Sequence, residues 1–193
     1  MATKSEETKK RLLQAATQEF ATYGIAGARV DRIAAAASAN KNLLYVYFGN
    51  KEQLFDAVCE AAIEELMAAV PFDARDLPGY AGALFDFYRA HPALIRLARW
   101  QALERPDAAP LAGARETTLR KLRELASAQA EGLVDAGMPP EALLTLVLSL
   151  AGSWSDGSPE GGSPAQDAAA VSERRHWAVV AVGRLSRPPQ QRP

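Results

Sequence analysis

The chain has 193 residues, 48% of them hydrophobic and 23% charged, and a net charge of −1. This ordinary globular composition excludes global disorder and fits one domain, or a small domain joined to a larger one. No run of about 18 apolar residues offers a spanning helix, and the polar start MATKSEETKKR lacks the apolar core of an export signal. The single cysteine, Cys59, rules out a disulfide framework and a multi-cysteine zinc site, so a reducing cytoplasmic setting is expected.

Thirty-nine alanines and few β-branched residues favour helix over strand. The expected class is all-α, with about nine helices. Charge is uneven. Residues 1–52 hold eight Lys or Arg against five Asp or Glu, a balance of +3, and the remainder carries −4. A basic module on an acidic body points to a polyanion partner, with chance asymmetry as the alternative.

The first helix is predicted from about Ser5 to Tyr23, with Leu12, Ala15, Ala16, Phe20 and Tyr23 as its apolar stripe. Ser5 or Thr8 caps it, Glu6 and Glu7 favour its dipole, and Gly24 ends it. After a short loop, a second helix spans about Val30–Ala37. Ser38, Ala39 and Asn40 break the chain, and Asn40 can cap a third helix, Lys41–Phe48. Gly49–Asn50 is a turn. A fourth helix runs from Lys51 to about Ala69 and is stopped by Pro71.

Two short helices joined by a three- or four-residue turn form a helix-turn-helix pattern. The second reads Asn40-Lys41-Asn42-Leu43-Leu44-Tyr45-Val46-Tyr47-Phe48. Asn and Lys side chains can bond base edges or phosphates, and tyrosine hydroxyls can reach phosphates. Lys51, at a helix N-terminus, opposes the dipole, which a nearby phosphate would relieve. The nominated DNA-contacting residues are Arg29, Asn40, Lys41, Asn42, Leu43, Tyr45, Tyr47 and Lys51. For each the alternative is a solvated helix face, and for Tyr45 it is packing between helices.

Ile33-Ala34, Ala37 and the run Leu44-Tyr45-Val46-Tyr47-Phe48-Gly49-Asn50-Lys51-Glu52-Gln53-Leu54-Phe55 resemble the TetR family of bacterial transcriptional regulators. The preceding helix, with Ala15, Phe20 and Tyr23-Gly24, is similar too. The resemblance covers residues 8–58 and is architectural beyond. Two positions depart from the family pattern. Ser38 stands where the family's turn has its first glycine, and Arg29 where a threonine is common. The resemblance implies a homodimeric DNA-binding regulator whose last two helices pair with their mates.

Beyond Pro71, helices are predicted over Gly79–Ala90, Ala93–Glu104, Leu111–Ala136, Glu141–Trp154 and Gln166–Leu185. Gly137 closes the third of these. Ser155–Pro164 is a Gly/Ser/Pro loop. Glu141–Trp154 is apolar all round, which asks for burial on every side. Leu143, Val147 and Leu150, with Val171, Ala178 and Val182 of the last helix, are the nominated dimer interface; a monomer core is the alternative. Tyr80, Phe87, His91, Trp100, Leu103 and Trp154 are the nominated ligand pocket, against the alternative of plain core. Their chemistry implies a hydrophobic or aromatic effector, and Arg96 or Arg99, if turned inward, would add a partner for a carboxylate; a solvated helix face is the favoured alternative for both.

Residues 1–52 are therefore read as the helix-turn-helix DNA-binding domain, 53–185 as a helical ligand-binding and dimerisation domain, and 186–193 as a polar tail. No nucleophile elbow, phosphate loop or dinucleotide fingerprint is present. With His91 and His176 the only histidines, no catalytic residue, metal or cofactor is expected. The expected function is a dimeric transcriptional repressor that binds a palindromic DNA operator and responds to a small ligand. The alternatives are a helical-bundle enzyme and a ligand-free dimeric DNA-binding scaffold.

Overall fold

The computed structural model describes residues 4–109, 111–155 and 167–188. Among them are nine helices: α1 (Lys4–Gly27), α2 (Val30–Ala36), α3 (Lys41–Phe48), α4 (Lys51–Ala69), α5 (Leu77–Ala90), α6 (Pro92–Glu104), α7 (Ala112–Ala130), α8 (Pro140–Gly152) and α9 (Ala168–Ser186). No described helix is long and apolar enough to cross a membrane.

Contacts divide the chain into two units, residues 1–65 with 92–111, and 66–91 with 112–193. The expected boundary after residue 52 falls inside α4, most of which belongs to the first unit. So does α6, although it lies forty residues or more from α3 in sequence.

In the first unit, Leu12, Ala16 and Phe20 of α1 pack with Ile33, Leu44, Leu54, Phe55, Val58 and Leu97. Phe20 and Phe55 meet edge to face, with centroids 5.2 Å apart. Each such side chain contributes about 1.5–3 kcal/mol by leaving water. This packing holds α3, which at eight residues is too short to be stable alone. Cys59 is part of the same core. Its thiol is pushed up to about 12, chiefly by burial, so it stays protonated and acts as a packing residue.

In the second unit, α5 packs against α8 and α9, and α8 also touches α7. Leu84, Phe85, Leu125, Leu143, Val147, Ala178 and Val182 are buried here. α7 stops at Ala130, six residues before the expected end. Gly132 adopts φ 72° and Leu133 N–H reaches Ala128 O at 2.9 Å, so Gly132, not Gly137, closes this helix. The Ser155–Pro164 loop and the polar tail lie mostly outside the described residues.

The junction between α2 and α3 is a Schellman turn. Ser38 N–H donates to Ala35 O and Ala39 N–H to Ala34 O, each at 3.0 Å. The turn puts Ser38 at φ 48°, a left-handed conformation that an L side chain disfavours. Replacing this serine by glycine should relieve the strain. Ser38→Gly is expected to raise unfolding stability by about 0.5–1 kcal/mol, less than the full left-handed cost because glycine loosens the unfolded chain. Urea denaturation checks it, and a variant less stable than the parent would contradict the turn assignment.

Candidate nucleic-acid interface

The outward face of α3 is built by caps and spacing. Asn40 caps the helix, its side-chain oxygen accepting from Asn42 N–H at 2.8 Å. Leu44 and Phe48 turn inward and Leu43 packs partly against the core. That leaves Lys41, Asn42, Tyr45 and Val46 exposed, a stripe at helical spacing. Val46 is 74% exposed and was not singled out from the sequence, although its position four residues after Asn42 is the signal that finds it. Arg29 is exposed at the start of α2, where its side chain makes no capping bond. A second set of reciprocal bonds starts α4. Asn50 Oδ1 accepts from Gln53 N–H at 2.8 Å and Gln53 Oε1 from Asn50 N–H at 3.2 Å, a capping box.

Other nominated residues have partners within the chain. Lys41 Nζ pairs with Asp31 Oδ1 at 2.7 Å, both side chains well exposed. The hydrogen bond and charge of Lys41 hold the Asp31 carboxyl below its usual range and raise the lysine in turn. Tyr47 Oη lies 2.9 Å from Ser5 Oγ, tying α3 to the start of α1. Lys51 Nζ donates to Ala26 O at 3.3 Å and Ala28 O at 3.5 Å. The dipole conflict read from its position is therefore met by loop carbonyls, with no phosphate required.

Those carbonyls belong to the segment that ends α1, which is held from several sides. Gly24 bends the helix at φ 71°, ψ −174°, a region open in practice to glycine alone. Above it, Glu104 Oε2 of α6 accepts from Ala26 N–H at 2.8 Å, and the Trp100 indole N–H donates to Ala21 O at 3.3 Å. A methyl group at Gly24 would collide with the Glu104 carboxylate and lie 2.9 Å from the Trp100 ring. Nearby, the buried Glu19 carboxylate accepts from Arg29 N–H at 2.8 Å and pairs with Arg32 at 2.6 Å. The entry to α2, and through it the pose of α3, depends on these bonds.

This arrangement matches known proteins at every level compared. The family model for bacterial regulatory proteins of the tetR family matches residues 12–58, and that for the tetracyclin repressor-like C-terminal domain matches 76–184. The HTH-type transcriptional repressor SCO4008 of Streptomyces coelicolor is 42% identical over 151 residues, 77% of this chain and 78% of that protein.

The chain belongs to the TetR family.

The HTH-type transcriptional repressor NicS of Pseudomonas putida is 30% identical over 103 residues, half of this chain and 49% of its own. The solved structure of SCO4942 from Streptomyces coelicolor superposes with a TM-score of 0.83 at 40% identity, covering 94% of this chain and 99% of its own. As a TetR-family member the chain is a DNA-binding transcriptional regulator and not an enzyme.

Two other sets of nominated residues are placed differently from the sequence reading. Of the ligand-pocket set, Tyr80, Phe87, His91 and Trp154 lie in the second unit, while Trp100 and Leu103 lie in the first. Trp100 is occupied with α1, and Leu103 is 73% exposed. Phe87 stacks on His91 with centroids 4.3 Å apart, and His91 Nδ1 lies 3.0 Å from Phe87 O. Helical spacing of aromatics shows that they face something, without saying which unit. Of the dimer set, Leu143, Val147, Ala178 and Val182 are fully buried within the single chain, so their burial needs no partner. Leu150 and Val171 are partly buried. The exposed large apolar residues of α8 and α9 are instead Leu146, at 40%, and Trp177, at 48%.

The hold on the end of α1 sets an order of stabilities. Glu104→Ala removes one acceptor at a partly wet site and should cost about 0.5–1.5 kcal/mol. Gly24→Ala adds left-handed strain and a clash with α6, and should cost about 2 kcal/mol or more. Urea titration of both variants checks the order, and a Gly24→Ala protein as stable as the parent would contradict it.

Proposed function

We propose that this regulator is a homodimeric repressor that binds a palindromic operator through α3 and releases it on binding a small, mainly hydrophobic or aromatic effector. The observation that carries DNA reading is the exposed face of the capped helix α3, with Lys41, Asn42, Tyr45 and Val46, and the exposed Arg29 at the start of α2. Arg29 and Lys41 suit phosphates, Asn42 and the Asp31-oriented Lys41 suit base edges, and the Val46 methyls suit a thymine methyl. Asn40 works as the cap, Leu43 as packing, and Tyr47 and Lys51 as ties. Repression is supported by the names of SCO4008 and NicS.

Pairing of two copies is supported by the apolar residues that α8 and α9 leave exposed, Leu146 and Trp177, with Leu150 and Val180 partly covered. A two-fold dimer places its two α3 helices in successive major grooves, with half-site centres roughly 34 Å apart or slightly more. The covalent path supports ligand response. α6 grips the end of α1, yet residues 66–91 before it and 112 onward after it belong to the second unit. A ligand that prefers one arrangement of the second unit has a mechanical route to α1.

Fluorescence anisotropy on a mixed-sequence duplex tests DNA binding. Affinity should fall linearly in log salt, with a slope of about −0.9 per phosphate neutralised. Asn42→Ala and Tyr45→Ala should change sequence preference without changing unfolding stability by more than about 0.5 kcal/mol. Sedimentation tests assembly. Trp177→Glu should yield folded monomers, because an unpaired charge in an interface costs several kcal/mol, while Val147→Asp should unfold the chain. Trp177→Glu dimers, or wild-type monomers at micromolar concentration, would overturn the pairing face.

A further inference from the structure

In the second unit, α7 and α5 bring an ammonium, a phenol and a second aromatic ring together. Lys121 Nζ donates to Tyr80 Oη at 2.6 Å. It lies 5.1 Å from the centroid of the Tyr80 ring and 5.7 Å from that of Phe72. The two rings meet edge to face at 4.9 Å and 90°. Tyr80 is 4% exposed and Lys121 is half-buried.

What the lysine lacks is an ion-pair partner of its own. Among the described residues no carboxylate pairs with Lys121. Glu124, the nearest on the same helix face, is paired with Arg120 at 2.9 Å. One ammonium hydrogen goes to Tyr80, and the phenol accepts it. Two ammonium hydrogens and the phenol's own proton are left without an acceptor among the described residues. Cation–π contact offsets part of the desolvation, by about 0.5–2 kcal/mol. Burial, reinforced by Arg120 and only partly opposed by the charge of Glu124, pulls the lysine down from its ordinary value, and burial pushes the Tyr80 phenol up. Evidently the site holds a positive charge at a cost that an incoming anion would remove.

We propose that Lys121 and Tyr80 anchor the acid group of a small monocarboxylate whose apolar body packs on Phe72 and its neighbours. One unpaired ammonium matches one negative charge. The ammonium and the phenol proton can each serve one carboxylate oxygen, and the rings supply the apolar floor. The anchor rests on the reading of this chain as ligand-responsive, and it gives the effector a charge that the aromatic residues alone did not. Arg96 and Arg99, the earlier candidates for such a group, lie on α6 in the first unit.

The test uses the full chain with benzoate, phenylacetate and hexanoate, and with benzamide as the uncharged control. At millimolar concentration at least one acid should raise the melting temperature of the wild type, and benzamide should not. Lys121→Met should weaken acid binding tenfold or more, Lys121→Arg should retain most of it, and Tyr80→Phe should fall between. Tyr80→Phe preserves the core if Lys121→Met folds poorly. No binding of any of the three acids, or equal binding by the wild type and Lys121→Met, would overturn the anchor. Affinity for a DNA duplex selected by the wild type is measured in parallel. An acid that binds through Lys121 and leaves DNA affinity unchanged contradicts the regulatory reading and supports the anchor. A neutral molecule that releases DNA from wild type and Lys121→Met alike supports the regulatory reading and overturns the anchor.

Discussion

Gly24 has no side chain because α6 occupies the space where one would stand. The Trp100 ring and the Glu104 carboxylate rest on that position, and the carboxylate takes the Ala26 N–H that the bent end of α1 would leave unpaired. Lys51 takes two carbonyls of the same segment from the start of α4. Five residues thus join three helices of the first unit, α1, α4 and α6. None of these residues lies on the exposed face of α3. Each sets the angle at which α2 leaves α1, and α2 carries α3 through a turn too short to absorb an error.

That division explains why so recognisable a stretch of sequence is made largely of residues with structural tasks. In the run Tyr45 to Phe55, Phe48, Leu54 and Phe55 are core, Asn50 and Gln53 cap a helix, and Tyr47 and Lys51 tie the module to α1 and its loop. Tyr45 and Val46 are its exposed large apolar residues, Lys41 and Asn42 extend their stripe on α3, and Arg29 is exposed at the start of α2. The motif therefore identifies a scaffold. The proposed reading of an operator falls to the side chains that this scaffold leaves exposed.

Local chemistry was legible in the sequence wherever its partners lie within a turn or two. The bounds Lys41–Phe48 and Lys51–Ala69 and the Asn40 cap follow from neighbours in the chain, and so does the break at Gly24, although helix α1 resumes beyond it to Gly27. Partners far along the chain were not legible. The Lys51 charge looked unpaired because its acceptors lie 23 and 25 residues back. Trp100 looked like a pocket residue because nothing in its own helix reveals that its indole meets Ala21, 79 residues away. Val147 and Val182 looked like interface because α8 is apolar all round, and α5 covers them from within the chain. Tyr80 was nominated as a pocket residue, but Lys121, 41 residues away, gave no local signal of meeting it.

Selection of bound duplexes from a random DNA pool by the wild-type protein tests the central claim most directly. A dimer that reads through two α3 helices should enrich an inverted repeat whose half-site centres lie about one helical turn apart or a little more. Enrichment of no sequence, or of a single site without two-fold symmetry, would contradict the account.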